Sequence, residues 1–391
     1  MLQKAKSIEK EIIEYRRYFH MYPELGFQEF ETAKFVEEKL ECWGITSERV
    51  AGTGVVGHLG EGKPCVAIRA DMDALPIQEE NNVPYQSQKP GLMHACGHDA
   101  HTAMLLGIAR LVSEEKNLGS GEIRFLFQPA EETQDENGLS GAVKMIKEGA
   151  LEGVDIILGQ HIYSELPAGT IDLAEGYTSA GGDVFVATIT GKGCHGAYPH
   201  KGIDPISIAS QVVLASQAII ARRVNPLEPA VLTIGKFEAG SAANVIPEVA
   251  TLEGTIRYLD PKTHETLLND FEAILQMTRL LGGDYKLKIL SGYPPIKNDS
   301  KVFQLVYEVA TEYLGTENIN TQGLHGMGSE DFSYFTQKVP GTFYWLGGQI
   351  ENEVRPHHTK NFDISEDVLH IGTAILAEST LRHLKKHQKN S

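Results

Sequence analysis

The chain has 391 residues, of which 41% are hydrophobic and 22% charged. This is the composition of a folded globular protein rather than a disordered or fibrous one, and the length predicts roughly two to three domains. The formal net charge is -17, from 35 Lys+Arg against 52 Asp+Glu, and the one basic block is the tail Arg382 to Lys389. A nucleic-acid backbone is excluded as partner, because that affinity rests on clustered lysine and arginine; the acid excess reads first as solubility.

Residues 2 to 20 place Ile8, Ile12, Tyr15 and Phe19 at helical spacing, predicting an amphipathic helix. Lys4, Lys6, Glu9, Lys10 and Glu11 leave no apolar core for a secretory signal there. A Pro23-Glu24-Leu25-Gly26 turn follows, then a second helix carrying Phe30, Ala33, Val36, Leu40 and Trp43. Strands are expected at 55–59 and 66–70, a helix from His98 to Val112, a strand at 122–127, a helix at 139–149 and a strand at 155–159. Such alternation predicts a mostly parallel α/β sheet flanked by helices.

Near residue 177 the pattern changes. An alternating strand at 183–189 precedes a helix from Pro205 to Arg223, strands at 230–237 and 249–258, a helix from Pro261 to about Leu281 and a strand at 285–290. The order βαββαβ is the split ferredoxin-like plan. The apolar stretch Ile206 to Ile220 within it is interrupted by Ser207, Ser210, Gln211, Ser216 and Gln217, so no membrane span is expected. A helix at 302–314, a strand from Thr342 to Leu346 and a closing helix from Asp367 to Lys385 return to the first pattern. The reading is therefore a mixed, mostly parallel catalytic domain at 1–177 and 292–391, with 178–291 inserted as a ferredoxin-like lid or dimerisation domain.

Three of the predicted strands end in groups able to hold a metal. Val66 to Ala70 runs into Asp71 and Asp73, Ile123 to Phe127 into Glu131-Glu132, and Asp155 to Gly159 into Gln160-His161; a fourth cluster, His94 to His101, opens a helix. Functional groups collect outside the carboxyl ends of parallel strands, so one polar pocket on one sheet edge is expected. The donors available are Cys96, His98, Glu132, His161 and the pair His357-His358. Taken singly, a histidine is more often a hydrogen-bonded structural residue, and a glutamate after a strand is usually solvated. Glu131-Glu132 stands equally as a pair held by divalent cations, one ligating and one acting as base, or as acids suited to a helix dipole.

The cysteines, Cys42, Cys65, Cys96 and Cys194, show no CxxC spacing, which fits reduced thiols and a cytoplasmic location. Cys42 and Cys65 read as core residues; Cys96, between histidines, does not.

The strings His20-Met21-Tyr22-Pro23-Glu24, Arg69 to Pro76, Met93 to His101, Gln128 to Glu132, Gly191 to His200 and Gly328 to Phe332 resemble those of the aminoacylase and carboxypeptidase-like metallo-amidohydrolases. The nearest branch is that of hippurate hydrolase, the indoleacetyl-amino-acid hydrolases and the N-acetyl-diaminopimelate deacetylases. The resemblance runs in order from about residue 12 to residue 370. It implies two divalent metal ions per subunit (zinc, manganese, nickel or cobalt) held by Cys96, His98, Glu132, His161 and His358, with one ligand bridging. His358 is preferred to His357 because Phe362 follows it at the family's spacing, although Lys360 stands where the family often has proline. Glu131 then resembles the general base and acid, and Asp73 a group that orients a ligand. His195 resembles the residue that polarises the scissile carbonyl in a neighbouring subunit's site. Asn244 and Arg257 match substrate-contacting positions, while also reading as a turn residue and a structural ion-pair partner. Cys194 stands where the family usually has glycine.

The expected activity is hydrolysis of the amide bond of N-acyl amino acids by a water bridging the two metals, in a homodimer or higher homo-oligomer that binds neither nucleic acid nor membrane. A carboxypeptidase or dipeptidase using the same chemistry is the first alternative. A thiol hydrolase using Cys96 with His98 or His101 as base, and a non-catalytic metal-binding or amino-acid-binding protein, come after it.

Overall fold

The structure is a computed structural model that describes residues 1–115, 121–322, 326–351 and 353–388; Lys389, the end of the basic tail, lies outside them. The chain divides into two compact units, one comprising Met1–Thr178 with most of the chain from Ile296 onward, the other Ser179–Pro295 with a short segment before Asp331.

In chain order the first unit begins with α1 (Leu2–Ser7), α2 (Glu9–Met21), α3 (Phe30–Cys42), β1 (Thr46–Val50), β2 (Gly54–Glu61) and β3 (Cys65–Asp71). It continues with α4 (His98–Ser113), β4 (Gly121–Gln128), α5 (Gly141–Lys147), β5 (Ile156–Tyr163) and two-residue strands β6 (Ile171–Asp172) and β7 (Gly176–Tyr177). The single helix expected over 2–20 is broken at Ile8, whose φ of -106° and ψ of 10° leave the helical region. Beyond the break, Ile12, Tyr15 and Phe19 face the core as their spacing requires. Cys65 is buried as expected, but Cys42 is exposed: it ends α3 on the side away from the buried stripe Ala33, Val36 and Leu40.

The second unit holds β8 (Gly181–Thr190), β9 (Cys194–His195), α6 (Pro205–Arg222), β10 (Ala230–Ala239), β11 (Val245–Ile246), β12 (Val249–Tyr258), α7 (Pro261–Leu275), α8 (Met277–Leu280) and β13 (Asp284–Ser291). Its sheet has the order β10-β12-β8-β13, every neighbour antiparallel, which is the ferredoxin-like arrangement. Two Asp-Pro pairs start its long helices: Asp204 accepts the amide of Ile206, and Asp260 those of Lys262 and Thr263, satisfying the first-turn donors. By length and composition alone α6 could cross a membrane. Its buried residues Ile208, Ala209, Val212, Ser216 and Ile219 recur every three to four positions, and the apolar ones share a core with Phe185, Leu252 and Phe271, so it serves as a sheet-packing helix. The helix expected to run to Leu281 breaks after Leu275.

The remaining elements, β14 (Lys297–Asn298), α9 (Ser300–Leu314), β15 (Ile319–Asn320), α10 (Phe332–Thr336), β16 (Gly341–Gly347) and α11 (Leu369–Gln388), belong to the first unit. Its sheet has the order β1-β2-β4-β3-β5-β16-β6-β15. The central run β4-β3-β5-β16 is parallel, and the β1/β2, β2/β4 and β16/β6 pairs are antiparallel. The carboxyl ends of β3, β4 and β5 therefore share one edge. One expectation needs correction: β5 does not stop at Gly159. It pairs with β16 as far as Tyr163, opposite Gly347, with His161 opposite Trp345, so His161 is a strand residue rather than one that follows a strand.

Candidate metal centre

Helix α4 is preceded by Gly97 at φ 93°, and a Cβ there would lie 2.5 Å from Ile162 Cγ2. Only glycine meets both demands, and the turn it makes lets Cys96 and His98 face the same space. Nδ1 of His98 lies 3.2 Å from Asp73 Oδ1, while its Nε2 is buried with no hydrogen-bond partner. His161 donates Nδ1–H to the Ile162 carbonyl at 2.6 Å and turns Nε2 to Cys96 Sγ at 3.5 Å. Burial, followed by the nearby His101 and His357, keeps its pKa well below the ordinary histidine value, which leaves a neutral ring with its lone pair on Nε2.

The acid pair arrives from β4 through Pro129 and Ala130, and its backbone is pinned by one carboxylate: Asp73 accepts the amides of Glu131 at 3.0 Å and Glu132 at 2.9 Å. Glu131 is 6% exposed, and its Oε1 accepts the amide of Asp331 at 3.4 Å. His358, at φ 58° with its amide on the Ala95 carbonyl (2.8 Å), brings Nε2 to 2.9 Å from Glu132 Oε1 and 3.3 Å from Cys96 Sγ. A left-handed histidine is held there at an energetic cost, and such strain collects at functional sites.

Cys96, His98, Glu132, His161 and His358 are thus drawn together on the edge where the parallel strands end. One donor atom from each of Cys96, His98 and Glu132 lies within 4.8 Å of the others, as do donors from Cys96, His161 and His357. A third triplet, His98, His101 and His161, is less available. His101 donates to Asp71 at 2.6 Å and accepts the Ile162 amide at 2.8 Å, so both ring nitrogens are occupied. His357 accepts the Ser164 amide on Nε2 at 3.2 Å, and its buried Nδ1 has no hydrogen-bond partner among the described residues.

The donor set fits divalent cations. Burial would lower His98, yet Asp71 and Asp73 outweigh it and push its pKa up to about 10. Burial, then Glu132 and Glu131, hold the Cys96 thiol well above its ordinary value. A space that keeps protons this firmly is one where positive charge is missing, and soft and borderline donors of this mix suit zinc and its neighbours.

The second unit carries the other predicted site residues. His195, exposed on β9, accepts the Ala197 amide on Nδ1 at 3.0 Å, which places its proton on Nε2. It pairs with Val245, and Gly196 donates to the Asn244 carbonyl at 2.7 Å, so Asn244 and His195 are neighbours on one two-stranded ribbon. Arg257 donates Nη1–H to the Ile256 carbonyl at 3.2 Å and lies over Gly182, where a Cβ would come within 2.6 Å of Nη1.

The sequence of peptidase family M20/M25/M40 matches residues 67–382. The chain belongs to this family. As a member of this family it is a metal-dependent hydrolase of amide bonds. It is 40% identical to a thermostable carboxypeptidase of Saccharolobus solfataricus, over 94% of each chain. It is 39% identical to the N-acetyl-L-cysteine deacetylase of Bacillus subtilis, over 98% of this chain and 91% of that one. A dinuclear metal-binding M20 peptidase from Bacillus subtilis has the same fold at a TM-score of 0.84 and 34% identity, over 97% of this chain and 99% of that one.

For several residues around this centre the local sequence does not reveal the partners. Arg69 pairs with Asp71 at 2.7 Å and Asp331 at 2.9 Å, and Gln128 ties into both. Burial would raise the Asp71 carboxyl, but Arg69, then His98 and His101, hold it well below the usual carboxylate range. Beneath the start of α4, Asp99 accepts from Arg16 at 2.9 Å and contacts His20 at 2.7 Å, while Arg16 also reaches Asp363 at 2.8 Å. The strings around His20 and Asp331 are the available hint; their side-chain partners lie 59 or more residues away.

Proposed function

We propose that the chain cleaves the acyl–nitrogen bond of N-acylated amino acids, with Cys96, His98, Glu132, His161 and His358 holding two divalent metal ions and Glu131 moving the proton. The observation that carries this reading is the buried Glu131 beside five convergent donors. One of two adjacent carboxylates, Glu132, is engaged with His358, and the other has its backbone fixed on Asp73.

When bound, the ions supply Lewis acidity that lowers the pKa of water and polarises the amide carbonyl. Glu131 accepts the proton from the attacking water and delivers it to the departing nitrogen. His195 is assigned, in a neighbouring subunit's site, to the developing oxyanion through its Nε2–H, and Asn244 and Arg257 to substrate contact. Zinc suits the thiolate, imidazole and carboxylate mixture, with manganese, nickel and cobalt as alternatives. The relationship to the N-acetyl-L-cysteine deacetylase supports an N-acyl amino acid as substrate; that to the carboxypeptidase supports the second reading, a peptide bond cut by the same chemistry. A homodimer is supported by the edge strand β10, whose Val231 and Phe237 are exposed, since such edges invite pairing. Four unpaired cysteines agree with a reducing, cytoplasmic setting.

The test is free amine release from N-acetyl amino acids, N-benzoyl amino acids and dipeptides, by the wild type and by Glu131→Gln. The variant is expected to keep its metal and lose about 10²–10⁴ in turnover. Wild-type turnover by the variant rejects the role of Glu131, and activity on dipeptides alone selects the peptidase reading.

A further inference from the structure

Three successive amides, those of Ala130, Glu131 and Glu132, point at the oxygens of two buried acids. Glu131 and Glu132 bind Asp73; Ala130 binds Glu29 Oε1 at 2.8 Å. The bend that aims all three sits at Ala130, where φ is 47°. A side chain disfavours that conformation, and it persists only where the surroundings over-determine it. On its other side the Ala130 carbonyl accepts the Gly141 amide at 3.0 Å, and a Cβ on Gly141 would lie 1.6 Å from the Pro129 carbonyl oxygen. The turn between β4 and α5 is therefore gripped from both ends.

Glu29 immediately precedes α3, the position from which a side chain ordinarily caps a helix, yet it makes no capping bond. Glu24 does that instead, its carboxylate accepting the amides of Glu31 at 3.2 Å and Thr32 at 2.8 Å. Glu29 is thereby released to point inward, where it is 0% exposed and takes the Thr53 hydroxyl on Oε2 at 2.5 Å. Burying a carboxyl without a charged partner is costly; burial, then Asp73, push this one up to about 7. Both of its oxygens are committed, one to a loop residue outside any sheet and one to the bend that precedes the acid pair.

We infer that Glu29 is a positioning residue for hydrolysis: through the Ala130 amide it holds the left-handed bend that presents Glu131 and Glu132 to the metal centre, an assignment that rests on the role proposed for Glu131. Asp73 fixes where the pair sits, and Glu29 fixes the direction from which the chain enters it. Glutamine keeps the acceptor that faces Ala130 and can still bond Thr53, whereas alanine removes both contacts and aspartate withdraws the acceptor by one methylene.

The experiment compares Glu29→Ala, Glu29→Gln, Glu29→Asp and Glu131→Gln at saturating metal, reading kcat and KM separately, the thermal midpoint, and the metal retained after dialysis. Glu29→Ala is expected to lose about 10–100-fold in kcat, the scale of lost support to a metal site, with KM nearly unchanged and less metal retained. Glu29→Gln is expected to restore kcat to near wild type. Adding Ala130→Gly to Glu29→Ala should recover part of the loss, because glycine enters the bend without penalty. A full wild-type kcat in Glu29→Ala, with Glu131→Gln inactive, overturns the positioning role alone. Wild-type turnover by Glu131→Gln overturns the reading of Glu131 and the positioning role with it. Should Glu29→Ala fail to fold, Gln near wild type with Asp impaired supports the assignment, and equal rates for the two overturn it.

Discussion

Asp73 and Glu132 meet side chain to backbone, the Oδ2 of one accepting the amide of the other at 2.9 Å, while Oδ1 serves Glu131 and His98. One buried carboxylate thus orients the His98 imidazole and sets the placement of both acids. Asp73→Ala should lower metal affinity or turnover by about 10–100-fold. Asp73→Asn should fall between the two, since its NH2 would face one of the three donors. Metal titration alongside kcat checks this; an Asp73→Ala enzyme with wild-type affinity and rate would show that the acid pair holds its place without it.

The two adjacent histidines near the C-terminus should behave differently. His358 Nε2 faces Glu132 and Cys96, whereas His357 Nε2 is occupied by the Ser164 amide and its ring stacks on Tyr163 at 5.1 Å. His358→Ala should strip bound metal and lose about 10²-fold or more in activity, in line with the loss of a ligand. His357→Ala should retain most of the metal and lose less activity. Elemental analysis of the dialysed variants separates the two, and the reverse ranking would move the ligand role to His357.

The Arg16–Asp99 pair predicts an acid-labile fold. Burial alone would raise the Asp99 carboxyl, but Arg16 and then His20 hold it well below its usual range. A carboxylate with a depressed folded-state pKa contributes stability that is present above the unfolded value of about 3.9 and lost as the pH falls toward the folded one. Denaturant midpoints should therefore drop on acidification below about pH 5. Arg16→Leu, which removes the guanidinium shared by Asp99 and Asp363 and leaves them only His20 and Arg355 as basic partners among the described residues, should cost up to about 3–5 kcal/mol at neutral pH. A flat midpoint between pH 6 and pH 3 would remove Asp99 from the account.

How much of this was legible in sequence depends on how far each residue's partner lies along the chain. Cys96, His98, Glu131 and Glu132 stand in short strings at the ends of apolar runs, so period and position bring them to one sheet edge. The polar strand β1, Thr46-Ser47-Glu48-Arg49-Val50, has four exposed residues out of five and no alternation to read; it exists because β2 pairs with it. The extension of β5 to Tyr163 is likewise imposed by β16, which lies far downstream in sequence. Arg16 has the look of a solvent-facing helix residue and is wholly buried, because acids from α4 and from the loop before α11 surround it. Glu29 reads as a surface acid before a helix, and nothing local reveals that Glu24 has taken over its capping place.

Cys96 gives the sharpest contrast between the metal reading and a thiol nucleophile. A reactive cysteine needs a lowered pKa in electropositive surroundings. Here burial, then Glu132 and Glu131, raise the thiol, and Asp71 adds to them. The imidazoles at 3.3 and 3.5 Å belong to rings with other commitments: His358 also faces Glu132, and His161 is pinned to the Ile162 carbonyl. In chelated protein at neutral pH, iodoacetamide should therefore label the exposed Cys42 well ahead of Cys96. Chelation should abolish amide hydrolysis, and adding back a single metal should restore it without any covalent change. Intact mass during turnover should show no acyl adduct on Cys96. An adduct that forms and decays at the rate of product release would instead make the thiolate the nucleophile and leave Glu131, Glu132 and His161 without the role their convergence supports.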